Sequence, residues 1–167
     1  AQLVELLRTL SSNDNASRQK AETLYQQAKV AEPEKLMLGM LGVLSAPEVG
    51  DPLRRHVAVL MRNLCWRGGV QRDFIFAKIS QGAKEQVANG LLARFEAEAV
   101  PGIQRKIGDI IVGLTEHVCC KEDPRGHLVP DSPNGWPSLL PFVFQVANPA
   151  TNPRPESCES ALRMMKD

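Results

Sequence analysis

Apolar residues in this chain recur at helical spacing, and the runs that carry them are repeatedly cut by clusters of Pro, Gly, Ser and Asn. That pattern constrains the fold more than any single motif. Leu3, Leu6, Leu7 and Leu10 fall at i, i+3, i+4 and i+7, one face of a first helix. Ser11-Ser12-Asn13-Asp14-Asn15 then supplies capping and turn residues. A second helix is expected from about Ala16 to Val30, with Ala21, Leu24 and Ala28 as its apolar stripe. Pro33 suits a first-turn position. Leu36, Met37, Met40, Leu41 and Leu44 mark a third helix, ending near Ser45. After the breakers Pro47, Gly50 and Pro52, a fourth runs from about Pro52 to Trp66, lined by Val57, Leu60, Met61 and Leu64.

Residues 74–100 read as one long helix, or as a short turn followed by a helix. Pro101-Gly102 stops it, and Ile103 to about Val118 forms the sixth helix, with Ile103, Ile107, Ile110, Ile111, Leu114 and Val118 at core spacing. Residues 121–135 hold three prolines and two glycines and read as a long loop. Trp136-Pro137 opens a seventh helix, with Leu139, Leu140, Val143, Phe144 and Val146 on its apolar side, and a last helix begins near Glu156. Alternation of the kind a strand needs appears only locally, at Phe74-Ile75-Phe76. The expected fold is all-α. Eight helices in four antiparallel pairs, repeating at roughly 40 residues, describe an α-solenoid. The pairs are placed at 1–30, 33–67, 74–119 and 136–167, with the loop at 121–135.

Charge narrows the function. Of the 167 residues 20 are Lys or Arg and 19 Asp or Glu, a net +1 that disfavours direct nucleic-acid binding. No apolar run reaches the length that spans a membrane, so no membrane insertion is expected. The first residues carry no signal peptide and no initiator Met, which reads as a soluble fragment of something longer. Cys65, Cys119, Cys120 and Cys158 show no C-x-x-C spacing and are expected as reduced, mostly buried thiols. Gly82 to Gly90 lacks the ending of a phosphate-binding loop. His56, His117 and His127 are possible bases. Glu116 and Cys120, four apart beside His117 and Cys119, could share a helix face as ligands, but adjacent cysteines at an apolar helix end read better as core fillers. Neither an enzyme nor a bound cofactor or metal is expected.

The second helices of several pairs begin alike. Asn13-Asp14-Asn15-Ala16-Ser17-Arg18 leads to Ala21. Asp51-Pro52-Leu53-Arg54-Arg55 leads to Ala58, and Gly102-Ile103-Gln104-Arg105 leads to Gly108. A polar turn, an Arg and then a small residue resembles a HEAT repeat. Arg18, Arg54 and Arg105 would hold register there, while the small residues let helices cross closely. Three longer stretches sharpen the likeness: Leu6 to Asn15 with Arg18 to Glu22, Arg55 to Leu64, and Trp136 to Phe144. In this order, with Arg105 to Ile110 between them, they resemble the N-terminal end of the importin-β (karyopherin-β) superfamily, most of all import receptors of the karyopherin beta-three type.

That resemblance implies a nuclear transport receptor shuttling between cytoplasm and nucleus. Its implied partners are Ran-GTP, cargo proteins and phenylalanine-glycine nucleoporins. The second helices would line the Ran-binding surface, through Gln19, Glu22, Arg62, Asn63, Trp66, Arg105, Asp109 and Glu116. The alternative is a HEAT-repeat scaffold or adaptor without Ran control. An apolar end formed by Ala161, Leu162, Met164 and Met165 is expected to be exposed and to self-associate.

Overall fold

The computed structural model describes residues 2–65, 74–122, 128–130, 135–150, 152, 154–155, 157–159 and 161; of residues 116, 117, 120–122 and 128–130 it describes the backbone. The chain divides into two units, Ala1–Val87 and Ala88–Asp167.

In the first unit the capping residues fall where the turn chemistry places them. α1 (Gln2–Thr9) closes its own last carbonyls: Leu10, Ser11 and Ser12 donate backbone N–H groups to Leu6, Arg8 and Thr9. Asp14 caps α2 (Asn15–Ala31), accepting the Ser17 N–H at 2.9 Å. The buried stripe of α2 differs from the expected one. It is Ala21, Tyr25 and Lys29, while Leu24 is 55% exposed. A ridge of every fourth residue meets the neighbouring helices, which turns Leu24 outward. Lys29 tolerates burial because its Nζ lies 5.5 Å from the Tyr25 ring centroid and donates to Gln26 Oε1 at 2.9 Å.

Pro33 opens α3 (Pro33–Ser45), whose Leu36, Met37, Met40, Val43 and Leu44 are buried. α1 packs on α3 where Gly39 leaves room. A Cβ there would stand 2.5 Å from Leu3 Cδ2. A short 3-10 turn, Pro47–Val49, and Gly50 at φ 89° swing the chain into α4 (Asp51–Cys65). Leu53, Val57, Ala58, Met61 and Leu64 fill the core, whereas Leu60 is half-exposed. Phe74-Ile75-Phe76, the one strand-like stretch, enters a 3-10 turn (Ile75–Lys78) that buries Ile75 and Phe76 against α3 and α4. Ser80 then starts α5 (Gln81–Ala97). Its Oγ accepts the Ala83 N–H, and its own N–H is held by Glu34 Oε2 at 3.0 Å. Of the two readings of 74–100, the turn followed by a helix is the observed one.

The second unit holds the end of α5, α6 (Pro101–Val118), a two-stranded ribbon and α7 (Leu139–Ala147). Leu91, Phe95, Ile103, Ile107, Ile110, Ile111 and Leu114 have no more than traces of exposed surface. The ribbon, β1 (Cys120–Glu122) antiparallel to β2 (Leu128–Pro130), corrects the reading of 121–135 as loop throughout. Its prolines permit this because Pro130 sits at a ribbon end, where a missing N–H is tolerated. α7 also begins later than expected, at Leu139 rather than Trp136. Pro141 explains the shift, since a helix begun at Trp136 would place a proline beyond the first turn, where its absent N–H breaks a bond. Phe142 turns inward, its ring 5.8 Å from Phe95 in an edge-to-face contact, while Leu140 and Phe144 face out. Residues 155, 157–159 and 161 are helical. Ala161 is fully buried, not part of an exposed end, and Leu162, Met164 and Met165 lie outside the described residues.

Each unit carries one polar pin at the same helical position. Arg54, fourth in α4, is 2% exposed; its Nε donates to the Leu44 carbonyl at 3.0 Å and its Nη1 to Asp51 Oδ1 at 3.2 Å. Gln104, fourth in α6, is 3% exposed; its Nε2 donates to the Phe95 carbonyl at 3.0 Å and to Ser157 Oγ at 2.7 Å. In both cases the second helix of a pair donates a side chain to a carbonyl in the last turn of the first: Leu44 receives Arg54, and Phe95 receives Gln104 beside a longer 3.4 Å bond from the Glu98 N–H. Arg18 instead binds Asn15 and Glu22 near the surface, because α1 has already closed its own end. Arg105, expected as the pin of α6, is exposed, and Gln104 does its work. Arg54→Ala is expected to cost about 2 kcal/mol in urea unfolding followed by circular dichroism, since it leaves the buried Leu44 carbonyl unpaired, and Gln104→Ala about 1 kcal/mol, since the Phe95 carbonyl keeps its bond from the Glu98 N–H. Arg18→Ala should stay within about 0.5 kcal/mol.

Candidate partner-binding surface

The pin of α4 decides what that helix shows to solvent. With Arg54, Val57, Ala58 and Met61 held inward, Arg55, Val59, Arg62 and Asn63 point out along one side. Val59 is 40% exposed between the two arginines. After Asp51, α4 carries no carboxylate. This stripe therefore offers two guanidinium groups around an apolar spot, chemistry suited to the acidic surface of a protein partner.

α2 has a different exposed side. Gln19 and Glu22 lie on it, with Thr23 and Gln26. Glu22 pairs with Arg18 at 3.6 Å, a surface contact that a partner could displace at little cost. On α6, Arg105 is exposed and Asp109 half-exposed. Seven of the eight residues anticipated from sequence fall on three helices. Gln19, Glu22, Arg62 and Asn63 are exposed within the first unit, and Arg105 and Asp109 reach solvent in the second. Trp66 and the side chain of Glu116 lie outside the described residues. Val59 was missed, because a lone valine in a helix pattern reads as core.

Of the groups considered as bases or ligands, His56 and Cys119 have side chains among the described residues. Burial pushes the Cys65 thiol far above its ordinary value, so the nucleophilic thiolate is suppressed. Cys65 is a free thiol, and Cys158 Sγ donates to the Asn152 carbonyl at 3.5 Å. No group of three metal-ligating side chains occurs among the described residues. His127 and the side chains of His117 and Cys120 lie outside them. No helix among the described residues is long and apolar enough to cross a membrane. In the second unit a cavity of about 250 Å³ is lined by Phe95, Glu96, Gln104, Gln145, Asn152 and Arg154 among others. Arg154 Nη1 donates across its rim to the carbonyls of Glu96 and Glu98.

Two kinds of titrating group surround these surfaces. Hydrogen bonds from Ser17 hold the Asp14 carboxyl below the usual range, and those from Ser80 do the same for Glu34. His56, half-buried on α4, has its Nε2 enclosed without a hydrogen-bond partner among the described residues, and burial keeps it below its ordinary value of 6.5. The folded chain therefore takes up this proton less readily than the unfolded chain. Stability is full above the unfolded pKa and falls as pH drops through it. Melting temperature should decline from about pH 7.5 to about pH 5.5, and His56→Gln should flatten that slope.

No family model matches the chain, and no curated protein matches it. Among solved structures it is similar to the crystal structure of Kap121p, a karyopherin-β, with a TM-score of 0.71 and 20% sequence identity. The match covers 98% of this chain and 14% of that one, so the chain spans about a seventh of the length of the protein it resembles. At this identity the likeness speaks to fold. The fold of this chain is an α-solenoid, as is that of this helical-repeat neighbour.

Proposed function

We propose that this chain is the N-terminal HEAT-repeat part of a nuclear transport receptor that binds Ran-GTP and carries protein cargo through the nuclear pore. The observation that supports this most is the likeness of fold to Kap121p over 98% of the chain. It adds to the karyopherin-β resemblance of the stretches around Arg18, Arg62 and Trp136. Ran-GTP contacts the second helices through Gln19, Glu22, Arg62, Asn63, Arg105 and Asp109, with Trp66 and Glu116 completing the set. The arginine stripe of α4 steers an acidic edge of the GTPase into place and sets its orientation more than its raw affinity. Ran-GTP and cargo favour different states of the receptor, so each lowers the affinity of the other. The receptor shuttles between cytoplasm and nucleus, and its cargo and phenylalanine-glycine nucleoporin contacts belong to the whole molecule.

The test uses the chain immobilised and offered Ran loaded with either nucleotide. It should retain Ran-GTP and pass Ran-GDP. Arg62→Glu combined with Asn63→Ala should weaken retention about tenfold, equal to about 1.4 kcal/mol, without changing the circular dichroism spectrum. Equal retention of both nucleotide states, or of neither, removes the Ran reading and leaves a HEAT scaffold or adaptor.

A further inference from the structure

Four parts of the chain wall the cavity of the second unit: the end of α5, the start of α6, the end of α7, and Asn152, Arg154 and Ser157 beyond it. Its volume of about 250 Å³ has room for roughly eight waters, or for one side chain. Two of its polar groups, Gln104 and Ser157, are each only 3% exposed. The Phe95 carbonyl can only accept, so the Gln104 amide turns its nitrogen there, at 3.0 Å. The same nitrogen donates to Ser157 Oγ at 2.7 Å. Gln104 Oε1 and the Ser157 hydroxyl proton are then left without partners among the described residues. Polar atoms that are both enclosed and unpartnered occur at His56 and Trp136, not at Gln104, so Gln104 Oε1 opens onto the cavity that the residue lines. An acceptor and a donor thus stand side by side, and leaving such a buried pair unmatched is costly. Charge at the rim is already engaged. Arg154 Nη1 donates to the carbonyls of Glu96 and Glu98, and Glu96 Oε1 accepts from Gln145 Nε2 at 3.2 Å.

We propose that this cavity is a binding pocket for a primary carboxamide, the group that ends a glutamine or asparagine side chain. Its N–H donates to Gln104 Oε1, its carbonyl accepts the Ser157 hydroxyl proton, and its aliphatic stem lies against Phe95 and Val146. A carboxylate would set one acceptor against another at Gln104 Oε1, and an ammonium would leave the Ser157 proton without an acceptor. A hydroxyl would have to serve both groups with a single oxygen. The carboxamide arrives either as a small free amide or as a side chain of a peptide, and the pocket reads the same group in both. None of these residues belongs to the set assigned to Ran-GTP, so the pocket does not rest on that reading.

Two-dimensional amide NMR of the full chain, titrated with propionamide to about 200 mM, tests the proposal. The expected result is saturable shifts of the Gln104 side-chain amide and the Ser157 backbone N–H, half complete near about 20 mM. Propionate, propanol and N,N-dimethylpropionamide, which lacks the N–H, should each bind at least about fivefold more weakly. Ser157→Ala should weaken propionamide binding about fivefold with an unchanged circular dichroism spectrum. If that variant does not fold, the probe series on the unaltered chain decides the matter. Acetyl-glutamine N-methylamide separates the two sources: tighter binding than propionamide marks a peptide side chain as the ligand, and weaker binding a small free amide. Absence of saturable shifts at Gln104 and Ser157 overturns the proposal. So do equal affinities for propionamide and any of the three control probes.

Discussion

A helix that ends inside a packed array leaves carbonyl oxygens without partners, and how each pair settles that debt shapes everything else in this chain. α1 folds its own turn back onto Leu6, Arg8 and Thr9. α3 leaves Leu44 open, and α5 returns the Glu98 N–H to Phe95 only at 3.4 Å; each receives a side chain from the fourth residue of the next helix. Arg54 reaches Leu44 and Gln104 reaches Phe95. Each contact fixes the rotation of the second helix about its axis. Once rotation is fixed, the inward and outward faces follow from the helical period alone.

The consequence for function is direct. With Arg54 inward, Arg55, Val59, Arg62 and Asn63 must face out, and α4 becomes a basic stripe with an apolar centre. Gln104 does the same for α6, turning Arg105 into solvent. Gln104 also bonds Ser157, tying the helical residues that follow Pro155 to the third pair. Around it, Arg94 and the enclosed Glu98 carboxylate pair at 2.8 Å, and that carboxylate also accepts the N–H of Val100 at the start of α6. Polar groups are buried here because each has a defined partner.

Much of the fold is legible in the sequence, for a physical reason: helical periodicity and breaker residues act locally. The ends of α3 and α6, the Gly50 turn and the first-turn prolines are all set within a few residues. What is not legible depends on neighbours distant in sequence. Leu24 and Tyr25 exchange roles because adjacent helices select one ridge over another. Leu140 and Phe144 look like core in a helical wheel, yet the packed side of α7 is set by α5. Arg105 carries the expected residue type, but Gln104 carries the geometry. The β1–β2 ribbon depends on pairing across a turn, which proline content alone obscures. For the candidate surface, exposure of the polar residues could be anticipated, whereas Val59 at its centre could not.

The central claim is that the outward face of α4, set by the Arg54 pin, meets a nucleotide-dependent partner. Amide hydrogen exchange of the chain, alone and with GTP-loaded Ran, tests it most directly. The account predicts slowed exchange in the second turn of α2, around Gln19 and Glu22, and in the last turn of α4, with no change when Ran carries GDP. Unchanged exchange in α4 while Ran-GTP is bound elsewhere on the chain would contradict it.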